Sequence, residues 1–220
     1  MYTLYIGNKN YSSWSLRPWV LMKTMGIPFR EERISLYVAD SPARIHAISP
    51  SSKVPCLHDD GVVIWDSMGI AEYLAERHAN LWPFDAIARA WARCASAEMH
   101  SGFANLRNEM DMNLRVREMR KPSSAVATDI ARIVELWEDG RRRFGARGDF
   151  LCGRFSIVDA FYCPVAFRFR SYGVAPEGTA GSYLAALLEL PAMREWSADA
   201  AHETERVPQF DPPGMQIQQQ

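Results

Sequence analysis

Three short stretches combine residue types that can hold and activate a small peptide-like molecule. The first is Ser49-Pro50-Ser51-Ser52-Lys53-Val54-Pro55. A bond preceding proline has an accessible cis form, about 0.5–1 kcal/mol above trans. A cis Val54–Pro55 bond turns the chain and frees the Val54 N–H and C=O to pair with an extended ligand, as a short antiparallel strand does. The alternative is a trans proline opening an edge strand. Ten residues further on, Trp65-Asp66-Ser67 opens a helical pattern. A helix N-terminus offers unpaired N–H groups and partial positive charge. Ser67 can add its hydroxyl to a carboxylate site there, and Asp66 can accept from a neighbouring ammonium. The alternative is that the pair only caps its helix.

The third stretch is Tyr11-Ser12-Ser13-Trp14-Ser15-Leu16-Arg17, a loop running into a helix. A serine hydroxyl at such a position can donate to a bound thiolate, and the helix dipole favours the same anion. A serine nucleophile would need a positioned base, and the chain shows neither G-x-S-x-G nor a serine–histidine arrangement. His46, His58, His78, His100 and His202 show no metal-ligand spacing and read as surface or structural residues. No metal is expected.

The elements that must position these residues alternate over the first eighty positions. Thr3–Ile6 reads as a strand. Ser13 or Ser15 can cap a helix running to Gly26, with Pro18 tolerated in its first turn. Phe29–Ile34 reads as a second strand, followed by a weak helix to about Ile48. Cys56-Leu57-His58 and Val62-Val63-Ile64 flank Asp59-Asp60-Gly61, a hairpin signal. Ser67–Arg77 carries a helical apolar face. The order is βαβ, then ββα. Asn80–Asp85 breaks the pattern, and everything beyond is helical in period. The spacing predicts one long helix from Ala88 to about Val116 and others over Val126–Phe144 and Ile157–Phe169. One or two more lie between Tyr183 and Ala200, around Pro191. Ser156-Ile157-Val158-Asp159 is a capping box opening a helix buried on most sides, which argues for folding rather than catalysis. The tail Pro208–Gln220 reads as loosely ordered.

Charge and composition exclude several classes. The 220 residues carry a net charge of −1, so no electrostatic footprint for nucleic acid or an anionic membrane is present. Arg141-Arg142-Arg143 with Arg147 is short and reads as a solvated helix end. No apolar run has the length of a membrane helix. The opening residues go directly into a strand pattern, so no signal peptide is expected. Cys56, Cys94, Cys152 and Cys163 form no C-x-x-C, and four free thiols suit a reducing cytoplasm.

Val-Pro, then Asp-Ser eleven residues after that proline, then Ser-x-x-Asp in a helical second half, is a pattern that resembles the cytosolic glutathione transferases over essentially the whole chain. The resemblance implies a thioredoxin-like domain at residues 1–79, a linker at 80–86 and an all-helical domain at 87–220. It implies that Val54, before a cis Pro55, pairs with the cysteinyl backbone of glutathione. Asp66 and Ser67 would hold its γ-glutamyl end, and Lys53 its glycyl carboxylate. Ser12 precedes Arg17 by five residues, as in the zeta and tau classes, so Ser12 is the expected thiolate-stabilising residue, with Ser13 or Ser15 in reserve. Zeta-type enzymes carry cysteine where this chain has Trp14, which counts against a maleylacetoacetate isomerase.

The expected activity is glutathione transfer to small apolar electrophiles. Isomerisation or glutathione-dependent cleavage, or a non-catalytic binding role, are the alternatives. Trp14, Met99, Phe103 and Arg107, with Met110 and Phe210, are candidates to face the second substrate, although the spacing from Met99 to Met110 equally describes a core stripe. A homodimer pairing through the helix after Ser67 and the helix from Ala88 is expected by resemblance.

Overall fold

A computed structural model of the chain describes residues 1–211. Four strands, β1 (Tyr2–Ile6), β2 (Phe29–Arg33), β3 (Cys56–Asp59) and β4 (Val62–Ile64), form one sheet in the order β2-β1-β3-β4. β1 pairs with β2 in parallel, while β1–β3 and β3–β4 are antiparallel. A parallel pair needs a crossover, and α1 (Ser13–Thr24) supplies it. The β3–β4 hairpin turns at Asp60 and Gly61, both with positive φ (44° and 91°), as a primed two-residue turn demands. α2 (Ser41–Ile48) and α3 (Ser67–Ala75) complete this thioredoxin-like part.

A helical region follows: α4 (Ala86–Ser101), α5 (Ala104–Glu109), α6 (Ser124–Phe144), α7 (Ile157–Tyr172), α8 (Gly178–Glu189) and α9 (Pro191–Ala201). α7 is buried along nearly its whole length. Its first turn is built on Asp159, a fully buried carboxylate. Asp159 accepts from the N–H groups of Leu151 (3.0 Å) and Ser156 (2.9 Å) and from the hydroxyls of Ser156 (3.2 Å) and Tyr183 (3.0 Å). The capping box therefore forms and also ties α8 to the turn before α7. Among the described residues no helix is long and apolar enough to cross a membrane.

The structure corrects the expected helix over 88–116. α4 stops at Ser101, Gly102 is extended, and Phe103 takes a left-handed backbone (φ 60°) before α5. Glycine weakens a helix interior by about 1 kcal/mol. The break is also held from outside: Asp129 on α6 accepts from Leu106 N–H at 2.9 Å and so satisfies a free donor at the start of α5. Past Glu109 the chain is irregular to Ser123. α8 likewise begins at Gly178, before the expected Tyr183. Ser12, not Ser13 or Ser15, occupies the N-cap position of α1, and its hydroxyl makes no capping bond.

The tail is corrected in part. Phe210 and Asp211 are anchored, with Phe210 against Tyr11 and Tyr37 and the Asp211 carboxylate bound by Tyr11, Asn113 and Arg206. Residues 212–220 lie outside the described residues. Close by, the Glu203 carboxylate accepts from the N–H groups of Lys9 and Asn10, and buried Lys9 pairs with Glu31 and Asp199 beside Trp19 and Trp196. These contacts fasten the end of the helical region to the loop that delivers Ser12.

Candidate functional site

The loop before α1 is shaped by a chain of hydrogen bonds. Gly7 N–H donates to Ser15 Oγ (3.1 Å), and Ser12 Oγ donates to Ser15 Oγ (2.7 Å). Ser15 is fully buried, whereas Ser12 keeps 7% of its surface exposed. Ser13 faces elsewhere, accepting from Arg168 Nη2 at 3.4 Å. Tyr11, next to Ser12, has its hydroxyl fully engaged. That hydroxyl accepts from Arg115 Nη1 (2.7 Å) and Val207 N–H (3.3 Å) and donates to Asp211 (3.1 Å). Burial raises its pKa against the pull of the Val207 N–H and Arg115, and because its one proton is given to Asp211, Tyr11 is no donor for a ligand.

The Val54–Pro55 bond is cis, as the ligand-pairing alternative expects. Val54 is half-buried, and its N–H and C=O make no hydrogen bond among the described residues. Pro55 is buried. Cys56 is buried too and donates its thiol to Ile48 C=O at 3.3 Å; burial raises its pKa, so it is a packing residue. Lys53 is exposed beside them.

Asp66 is the N-cap of α3, accepting from Met68 N–H (2.8 Å) and Gly69 N–H (3.4 Å) through Oδ1. Its other oxygen, Oδ2, lies 3.2 Å from His100 Nε2. Ser67, fully buried at the start of α3, lies 3.4 Å from Arg17 Nη1. The same guanidinium nitrogen stands 3.3 Å from His100 Nδ1. Arginine can only donate, so Nδ1 accepts and Nε2 carries the proton towards Asp66. Burial first, and then Arg17 and Arg107, lower the His100 pKa against the pull of Asp66. One histidine of α4 thus joins α1, α3 and the helical region.

This bridge is not legible as a motif. Asp66 and His100 are far apart in sequence and no spacing rule links them. A weaker signal exists for Arg17, a charged residue within the apolar run Leu16-Arg17-Pro18-Trp19.

Of the positions expected to face a second substrate, Trp14 and Arg107 come together. Trp14 is 36% exposed, with the guanidinium carbons of Arg17 and Arg107 at 4.2 and 4.7 Å from its ring centroid and the His100 ring edge-on at 5.2 Å. Arg107 also donates to the carbonyls of Gly102 (2.9 Å) and Met99 and so covers the carbonyl end of α4. Met99 and Met110 follow the core-stripe alternative, at 1% and 0% exposure. Phe103 is also buried. Phe210 packs on Tyr11 and Tyr37 instead. Among the described residues no cluster of three or more His, Cys, Asp or Glu could hold a metal ion.

Residues 11–77 match the family described as the glutathione S-transferase N-terminal domain. The chain is 34% identical over 107 residues to a probable maleylacetoacetate isomerase of Caenorhabditis elegans, a match spanning 48% of this chain and 49% of that protein. It is 23% identical over 171 residues to a stringent starvation protein A homolog of Haemophilus ducreyi, covering 77% and 76% of the two chains. Its fold superposes on a glutathione transferase homolog from Burkholderia, solved with bound glutathione. The TM-score is 0.68 at 22% identity, over 90% of this chain and 97% of the other.

Proposed function

We propose that this chain, whose residues 11–77 match the glutathione S-transferase N-terminal domain family and whose fold superposes on that of a glutathione transferase homolog, binds glutathione and transfers the thiolate to an electrophilic carbon. The observation that carries this reading is the junction of α1 and α3, where Arg17 meets Ser67 Oγ at the helix N-terminus. That point concentrates a hydroxyl, the Ser67 N–H that the Asp66 cap leaves unengaged, and a cation, which is what a carboxylate needs. The γ-glutamyl carboxylate binds there, and Asp66 receives the adjacent ammonium. The cysteinyl backbone pairs with the unbonded Val54 N–H and C=O. Lys53 receives the glycyl carboxylate.

Ser12 then faces the sulfur. A hydroxyl rotates freely about its C–O bond. If Ser15 donates to Ser12, rather than the reverse, Ser12 is released to donate to the thiolate. Gly7 N–H, Ser15 and Ser12 then form a relay polarised towards the sulfur, with the α1 dipole in support. The thiolate forms the new C–S bond, and the leaving group departs with its electron pair. Isomerisation is the second reading, favoured by the 34% identity to a probable maleylacetoacetate isomerase. Turnover of a cis-dienoic diketo acid against turnover of an aryl halide separates the two. Glutathione binding with no turnover of either indicates a binding protein.

Calorimetric titration with reduced glutathione tests the reading. Wild type binds, and Ser67→Ala weakens binding about tenfold, the equivalent of one hydrogen bond to a charged group at ~1.4 kcal/mol. No heat with wild type refutes it. The proposal extends to a cytoplasmic homodimer, paired through α3 and α4 with a domain boundary in residues 80–86. A monomeric mass by light scattering at micromolar concentration would exclude the dimer.

A further inference from the structure

Three guanidinium groups converge where α1, α4 and α7 meet. Arg17 is buried to 1% exposure and Arg168 to 4%, while Arg107 is half-buried above Trp14. Arg17 and Arg107 each contact the Trp14 ring, and Arg168 reaches the adjacent Ser13. None of the three is in an ion pair among the described residues. Arg17 Nε is buried with no hydrogen-bond partner. The nearby carboxylates are committed or set apart. Asp66 caps α3 and meets His100, Asp129 caps α5, and Asp66, Asp129 and Asp111 reach Arg17, Arg107 and Arg168 respectively only through their fields, with no ion pair.

A guanidinium stays charged at any physiological pH. Buried charges without counter-ions are costly and call for an anion. Glutathione brings one carboxylate to Ser67, which answers Arg17. Arg107 remains. Its Nη1 makes no hydrogen bond among the described residues, and it lies over an indole that is open to solvent.

We infer that the electrophile itself is an anion: a carboxylate-bearing molecule with a flat conjugated part, its carboxylate received by Arg107 and its ring or conjugated chain lying on Trp14. This rests on the glutathione reading and narrows the class of second substrate. The guanidinium offers a planar fork to the carboxylate, and the neighbouring Arg17 and Arg168 add a field of the same sign. The carboxylate takes no part in bond making. The sulfur bonds to the activated carbon, and the leaving group takes the old bond's electron pair.

The test compares 4-chloro-3,5-dinitrobenzoate with its neutral carboxamide. In both, sulfur replaces chloride on the ring. Each enzymatic kcat/KM is divided by the uncatalysed rate constant with glutathione, which removes the intrinsic difference in reactivity. Wild type is expected to accelerate the benzoate at least about tenfold more than the amide, chiefly through KM, as one charge-assisted hydrogen bond supplies. Arg107→Gln brings the ratio to near one, and Arg107→Lys retains part of it. Equal acceleration in wild type, or a preference that survives Arg107→Gln, overturns the inference.

Arg107 also binds backbone carbonyls, so the variant could misfold. Calorimetry on wild type with the two S-aryl glutathione products then decides: the carboxylate product must bind tighter, and equal affinity overturns the inference. Glutathione binding with equal acceleration removes only the anionic class. No glutathione binding and no acceleration of either probe removes the glutathione reading as well.

Discussion

Ser12→Ala is expected to lower kcat for glutathione transfer about 100-fold, as removal of one preorganised donor to a reacting anion does elsewhere, while glutathione affinity changes little. The two effects separate because the proposed anchors of glutathione are at Val54, Asp66 and Ser67, whereas Ser12 meets only the sulfur. The loss should shrink at high pH, where free thiol ionises without help. Ser15→Ala should reproduce part of the loss, since it removes the middle of the Gly7–Ser15–Ser12 relay. Stopped-flow measurement of thiolate absorbance against pH reads the step directly. An unchanged thiol pKa in Ser12→Ala would move the role to Ser13 or to the backbone N–H groups of α1.

The largest expected effect on stability is at Asp159. Its carboxylate is fully buried and satisfies four donors, those of Leu151, Ser156 twice and Tyr183. Asp159→Ala leaves them all without a partner in an apolar interior. A loss of about 3–4 kcal/mol follows from orphaned buried donors, measured as a lower denaturation midpoint in urea. Asp159→Asn, which keeps one acceptor oxygen, should lose less. Burial pushes the Asp159 carboxyl up to about 6, although its four donors pull the other way.

The sign of the pH effect follows from proton counting. Between the unfolded value, about 3.9, and about 6, the unfolded chain has released this proton while the native state still holds it. The contribution to stability is therefore full below that window and falls as pH rises through it. Asp159→Asn should flatten that part of the stability–pH curve, and an identical slope in the variant would show that the slope comes from other groups.

Much of this architecture was legible because its signals are local. Strand alternation, the Asp60-Gly61 turn, the Asp66 cap and the Ser156–Asp159 box each depend on residues a few positions apart. The periodicity over 88–116 predicts an unbroken helix because the break is completed from outside, by Asp129, which reaches α5 from α6 across the fold. The Met99–Met110 stripe was ambiguous for a related reason. A helical apolar face looks the same whether it meets a core or a cleft, and only the packing put Met99 and Met110 inside.

The sequence by itself determined the elements, their order and the glutathione transferase resemblance, since propensity, capping and turn chemistry act within a few residues. Tertiary structure alone decided which side chains meet. It joined Arg17, Ser67, Asp66 and His100 from three helices, engaged the Tyr11 hydroxyl with Asp211, and gathered two arginines at Trp14 and a third at the adjacent Ser13. Hydrogen bonds and charge fields act through space over a few ångströms, and distance along the chain does not encode them.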